Sequence, residues 1–186
     1  MTTLLLISGS LRAGSTNTAV LRTASEMAGE GVETILYGGM AELPHFNPDD
    51  DREGESVHAA VADLRGEVAA ADALLICTPE YAGALPGALK NMLEWTVGDG
   101  GTYQKPVAWI NASGPAAPSG GADAHDSLRK VLGYVHADIV EAACVCVSLT
   151  RDAVAPDGTI GDPAAREKIA EAVAALARHA GRIGGG

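Results

Sequence analysis

Aromatic residues are nearly absent: the chain has one Phe, two Trp and four Tyr. That scarcity argues against an aromatic cage for a cation and against stacking platforms for single-stranded nucleic acid. Positive charge is also scarce. Thirteen Lys and Arg stand against 24 Asp and Glu, a net charge of -11, and no basic run offsets it, so neither nucleic acid nor an anionic membrane is expected as a partner. No apolar segment approaches the ~18 to 20 residues needed to span a bilayer. The first apolar run begins at Thr3 with no basic stretch or cleavable leader before it, which gives the expectation of a cytoplasmic protein. The three cysteines, Cys77, Cys144 and Cys146, cannot all pair and lack the Cys-x-x-Cys spacing; they are expected as buried free thiols in strands, the last two on one strand face. His45, His58, His125, His136 and His179 share no ligand spacing, so no metal is expected. Ser10 lacks a Gly-x-Ser-x-Gly setting, which removes a hydrolase nucleophile.

What the chain does have is 47% hydrophobic residues, mostly Ala, Val and Leu, in a repeated pattern. Apolar runs at 3–7, 32–37, 73–78, 107–112 and 139–149 read as strands. Periodic Ala-rich segments at 17–29, 57–71, 86–97, 123–135 and 163–180 read as helices. Alternating β and α elements imply a parallel sheet covered on both faces. The alternation of residues 32–37 suits an edge strand, and the unbroken run Ala73-Leu74-Leu75-Ile76-Cys77 suits a central one. The expected fold is therefore an α/β, flavodoxin-like three-layer sandwich with a five-stranded parallel sheet in the order 2-1-3-4-5. In that order ligands sit beyond the carboxyl ends of strands 1 and 3. Residues 1–180 form one such domain, and 181–186 are expected to be a disordered tail. Asp49-Asp50-Asp51 reads as a solvated acidic turn.

Two loops lie at that switch point. Ser8-Gly9-Ser10-Leu11-Arg12-Ala13-Gly14-Ser15-Thr16-Asn17-Thr18 joins the first strand to the first helix. Its glycines let backbone N–H groups turn inward, its hydroxyls donate, and the helix start favours an anion. Without a Gly-Lys-Ser/Thr ending or the G-x-G-x-x-G spacing, it suits a terminal monophosphate. Thr78-Pro79-Glu80-Tyr81-Ala82-Gly83 follows the third strand. Pro79 stops the strand, and Pro86 fits the first turn of the next helix. Backbone amides between the two prolines are placed to face the polar edge of a planar ring. A flat heterocycle plus a monophosphate describes FMN.

Three motifs, GSLRAGSTN at 9–17, TPEYAGALPGALKNMLEW at 78–95 and KPVAWINAS at 105–113 followed by Gly120-Gly121, resemble those of the NADPH-dependent FMN reductases, which include quinone-, chromate- and azo-reducing members. The resemblance implies that Ser10, Arg12, Ser15, Asn17 and Thr18 hold the FMN phosphate. By the same likeness Pro79, Glu80, Tyr81 and Gly83 line the isoalloxazine, and Ser113, Gly114 and Gly120 close its other edge. Many relatives have Asn where this chain has Ala82, and the segment 114–121 offers no aromatic residue to stack on the ring.

The family chemistry is hydride transfer from NADPH or NADH to flavin N5, then to a quinone or another small acceptor. No side chain is assigned a catalytic role; the Glu80 backbone is preferred over its carboxylate as a general acid. Tyr81 is either a pocket wall or a packing residue, and Lys90 and Asn91 are either solvated or cofactor-facing. Two alternatives stand beside the leading reading: a reductase that hands reduced flavin to a monooxygenase, and a non-catalytic flavin electron carrier. Relatives form dimers or tetramers. The 86–97 helix carries Leu89, Met92 and Leu93 on one line, leaving Trp95 as the expected outward anchor of a subunit contact.

Overall fold

The computed structural model describes residues 1–114 and 117–183. Its centre is a parallel sheet of β1 (Thr2–Ser8), β2 (Val32–Leu36), β3 (Ala73–Cys77), β4 (Pro106–Ser113), β5 (Asp138–Ile139) and β6 (Val145–Ser148), in the order β2-β1-β3-β4-β5 with β6 also on β4. β1 (Thr2–Ser8) pairs with β2 (Val32–Leu36) on one side and β3 (Ala73–Cys77) on the other. β4 (Pro106–Ser113) follows β3, so the expected order holds. β2 is the edge and is partly exposed, whereas every residue of β3 is buried.

The run expected as a fifth strand over 139–149 is two pieces, β5 (Asp138–Ile139) and β6 (Val145–Ser148). Both pair with β4: β5 at Pro106 and Val107, β6 from Ile110 to Ser113. A 3-10 turn at Glu141–Ala143 separates them and places the fully buried Ala143 in the core beneath the C-terminal helix. Cys144 therefore precedes the strand instead of lying in it. Cys146 is exposed, contrary to the expectation of buried thiols, while Cys77 is buried.

Helices cover both faces. α1 (Thr16–Glu26) and α5 (Pro163–Ile183) pack on the side of Leu4, Leu6, Leu75 and Ile110. α2 (Ala59–Ala70), α3 (Gly87–Trp95) and α4 (Ala122–Tyr134) pack on the side of Leu5, Ile7, Leu74 and Val107. Alternate residues of β1 thus serve opposite cores, as the period-2 geometry of a strand requires. α5 continues to Ile183, so residues 181–183 of the expected tail are its last turn, and Gly184–Gly186 lie outside the described residues. No described helix is long and apolar enough to cross a membrane.

Trp95 does not reach outward. It is 1% exposed, its indole N–H donates to Pro44 O at 2.8 Å, and Phe46 meets its ring edge-on at 5.0 Å. Asn91, one turn earlier, donates to the same carbonyl at 2.9 Å and accepts from the Phe46 N–H at 2.7 Å. Both polar groups on α3 therefore pin the excursion after β2, whose Met40 and Leu43 fill the core. Lys90 pairs with Glu94 one turn on. The acidic turn is also tied down: Arg65 holds both carboxylate oxygens of Asp51 at 2.8 Å.

Candidate functional site

A cavity of about 500 Å³ opens at the carboxyl end of the sheet. The first loop contributes Ser10, Arg12, Ser15, Thr16 and Asn17. The loop after β3 adds Pro79 and Tyr81, and Gly114 and Ala117 come from the loop after β4. Leu149 and Thr150 after β6 also line it. Leu149 escaped the sequence reading because the 139–149 run read as one strand, and Thr150 because it opens the loop that follows.

Close approach of the first two loops depends on Gly9. A Cβ at that position would lie 2.1 Å from Thr78 Oγ1, and the Gly9 N–H donates to Cys77 O at 2.9 Å. Asn17 reinforces the junction, its Oδ1 accepting from the Cys77 thiol at 3.3 Å. Burial pushes that thiol well above the ordinary cysteine range, so it stays protonated and able to donate.

The hydroxyls organise the first loop. Ser15 caps α1, its Oγ accepting from Asn17 N–H at 3.2 Å, and Ser10 Oγ accepts from Arg12 N–H at 3.3 Å. Each accepts, so each keeps its own O–H to donate. Thr18 turns its hydroxyl to Ser8, 2.9 Å away, and does not line the large cavity. Among the described residues, no hydrogen bond uses the backbone N–H of Gly14, Thr16 or Thr18. The first turn of a helix leaves such donors unsatisfied and carries a positive partial charge. With Arg12 at their side, they form a strong anion cradle.

The loop after β3 differs in one respect from the expectation of unused amides. Tyr81 and Ala84 exchange hydrogen bonds, Tyr81 N–H to Ala84 O at 3.0 Å and the return at 3.2 Å. The two residues between them have φ of 52° at Ala82 and 71° at Gly83. Two successive positive φ values mark a type I′ turn, which favours Asn-Gly. Ala82 stands where many relatives have Asn, so the turn itself supplies a reason for that residue. Nothing lies within 4 Å of a Cβ built at Gly83, so conformation, not crowding, constrains the position. The Tyr81 N–H is committed within the turn, whereas no described hydrogen bond uses the Glu80 N–H.

The Glu80 carboxylate points away from a proton-transfer role. It accepts from Ser119 Oγ at 2.5 Å and from Ala124 N–H at 3.4 Å, joining the second loop to the third. The third loop is fixed at its other side. Ser113 Oγ and Asn111 Nδ2 both donate to Gly120 O, at 2.6 Å and 2.8 Å. Gly120 and Gly121 have φ of 61° and 81°, and a Cβ on Gly121 would lie 2.7 Å from Asn111 Oδ1. Pro115 and Ala116 lie outside the described residues. Of the residues expected at the site, Ser10, Arg12, Ser15, Asn17, Pro79, Tyr81 and Gly114 line one cavity. Thr18, Glu80, Gly83, Ser113 and Gly120 are not among its lining residues.

A parallel α/β sheet with a donor-rich crevice at the strand-order reversal defines a mononucleotide-binding architecture. Comparison with known proteins narrows the class: the family described as NADPH-dependent FMN reductase matches residues 2–152, and the chain belongs to it. It is 34% identical over 172 residues to an NAD(P)H-dependent FMN reductase of Pseudomonas aeruginosa, covering 91% of this chain and 90% of that one. It is 34% identical over 134 residues to a quinone reductase of Escherichia coli, covering 71% and 70%. Among solved structures, the FerB flavoenzyme NAD(P)H:(acceptor) oxidoreductase of Paracoccus denitrificans superposes with a TM-score of 0.82 at 25% identity, with 98% of each chain covered.

Proposed function

We propose that the cavity binds FMN, with its phosphate at residues 10–18, and that the protein reduces a quinone or a comparable small acceptor with electrons from NADPH or NADH. The observation that carries this reading is a single cavity lined by Ser10 and Arg12, by the start of α1 at Ser15, Thr16 and Asn17, and by Pro79, Tyr81 and Gly114. An anion cradle joined to an apolar slot matches a phosphate joined to a flat heterocycle. FMN supplies the hydride-accepting chemistry when bound.

The chain's own residues hold, orient and shield. The start of α1, Ser10, Ser15 and Arg12 neutralise a dianion. The Glu80 N–H, used by no described hydrogen bond, would donate to the polar edge of a bound ring and would stabilise negative charge there. The Glu80–Ser119 contact keeps the second and third loops at a fixed separation, which sets the width of the slot. Tyr81, half exposed, borders the open side from which dinucleotide and acceptor enter in turn.

The proposed assembly is a homodimer or homotetramer. Trp95 is not its anchor. A groove between α3 and α4, lined by Leu93, Val97, Val131 and Tyr134 among others, carries the exposed apolar surface, with Tyr134 80% exposed.

Stopped-flow reduction of the FMN-loaded protein by NADPH, followed by reoxidation with a quinone, tests the reading. Fast bleaching, retained flavin and ping-pong kinetics are expected. Loss of reduced flavin from the protein between the half-reactions would support delivery to a monooxygenase instead, and a flavin inert to both dinucleotides would leave only an electron carrier.

A further inference from the structure

The corner at Gly120 and Gly121, where the third loop turns into α4, is held from three elements. Asn111 and Ser113 of β4 donate to Gly120 O. Glu80, after β3, accepts from Ser119 Oγ and from Ala124 N–H on either side of the corner. The third holder is His125, one helical turn into α4. Gly121 O lies 3.3 Å from its backbone nitrogen and 2.7 Å from its ring Nδ1. A carbonyl only accepts, so Nδ1 carries the proton of the neutral ring.

Nε2 is then a bare lone pair. It is buried without a hydrogen-bond partner among the described residues; His125 is only 7% exposed, and its ring stacks on Trp109 of β4 at 6.0 Å. Such a seat suits the neutral ring. A second proton would put a charged N–H where no acceptor waits. The charged and titratable groups around the ring come from three elements: Glu80 from the loop after β3, Asp126 and Arg129 from α4, and Glu141, Cys144 and Cys146 from the segment that leads into β6. Arg129 is paired with Glu141 and lies over the far ring, Trp109. Glu80 is already committed to Ser119.

We propose that His125 is a positioning residue of the flavin cavity: its neutral ring seats the Gly120–Gly121 corner, and its protonation unseats the third loop and weakens flavin binding as the pH falls. The imidazolium finds an acceptor by swinging out toward Asp126 or by drawing Glu80 from Ser119. Either movement loosens the loop that brings Gly114 and Ala117 to the cavity. Flavin binds the seated, neutral form, so flavin and proton oppose each other. The inference rests on the proposed function, because it takes the ligand of the cavity to be a flavin.

Riboflavin titrations of the full chain at pH 7.5 and 5.5, read by flavin fluorescence, test it. Riboflavin lacks the phosphate, whose own titration near pH ~6 would mask the effect. Affinity should fall about three- to tenfold at the lower pH, tenfold being the ceiling one unit below the ordinary histidine value of ~6.5. His125→Gln, whose amide can donate to the same carbonyl and does not titrate, should hold its affinity within about twofold across the two pH values. In the unsubstituted chain, the His125 ring followed by NMR should titrate at lower pH with riboflavin bound than without it. A histidine that only packs would titrate alike in both. Equal affinity of the unsubstituted chain at the two pH values, the same fall in His125→Gln, or a ring midpoint unmoved by riboflavin would overturn the proposal and leave the proposed function standing. Riboflavin binding at neither pH would overturn the proposed function and this inference with it.

Discussion

The carboxylate of Glu80 accepts a 2.5 Å hydrogen bond from the hydroxyl of Ser119, tying the loop after β3 to the loop after β4. A side chain engaged in this way holds a slot open at fixed width. Its amide analogue still accepts from a hydroxyl, so Glu80→Gln should retain flavin reduction within a few-fold. Ser119→Ala removes the tie and should weaken FMN binding by roughly tenfold, the worth of one charge-assisted hydrogen bond. Fluorescence titration and stopped-flow reduction read the two effects separately. A loss of ~100-fold or more in reduction by Glu80→Gln with FMN still bound would assign the carboxylate to proton transfer.

Ala82 occupies a left-handed conformation with φ of 52°, which costs an alanine about 1 to 2 kcal/mol. Ala82→Gly and Ala82→Asn should therefore stabilise the protein by about 0.5 to 1 kcal/mol, the relief exceeding the entropy that glycine adds to the unfolded chain. Gly83→Ala should destabilise it by a similar amount, for the same reason with the sign reversed. Thermal denaturation of the three variants checks the pattern.

Trp95 and Asn91 share Pro44 O as an acceptor. Trp95→Ala should cost about 3 to 5 kcal/mol by leaving a cavity in the α2–α3–α4 core. Asn91→Ala should cost about 1 to 3 kcal/mol by leaving the Phe46 N–H without its acceptor, Pro44 O keeping the Trp95 donor. Denaturant unfolding measures both. If the proposed dimer or tetramer forms through the α3–α4 groove, light scattering should find its mass unchanged in Asn91→Ala and reduced in Tyr134→Glu.

His125 is buried with its Nδ1 2.7 Å from Gly121 O and its Nε2 without a partner among the described residues. Burial lowers its pKa below 6.5, against smaller opposing contributions from the Gly121 carbonyl, Glu80 and Asp126. The unfolded chain thus takes up this proton more readily than the folded one. The stability that the neutral ring contributes is complete above pH 6.5 and declines as the pH falls toward the depressed value. Unfolding midpoints at pH 7.5 and 5.5 should show that loss, and His125→Gln should lessen it.

The sheet order and the first loop were legible because both depend on local signals: apolar runs of strand length, and a hydroxyl- and glycine-rich turn leading into a capped helix. β3 as a fully buried central strand follows from such a pattern alone. What was not legible depends on pairs distant in sequence. Trp95 looked surplus on its helix because its partners, Pro44 and Phe46, sit in an irregular excursion that no periodicity describes. Glu80 looked free because Ser119 is 39 residues away. The break between β5 and β6 is set by a short 3-10 turn, Glu141–Ala143, inside an otherwise apolar run, and with it went Leu149.

The central claim is that the segment 10–18 grips a phosphate. Arg12→Ala measured by calorimetry with FMN and with riboflavin, which lacks the phosphate, tests it most directly. FMN affinity should fall about 10- to 100-fold, the range for a hydrogen bond to a charged group, while riboflavin affinity stays within about twofold. Equal losses for the two ligands, or none for FMN, would contradict the account.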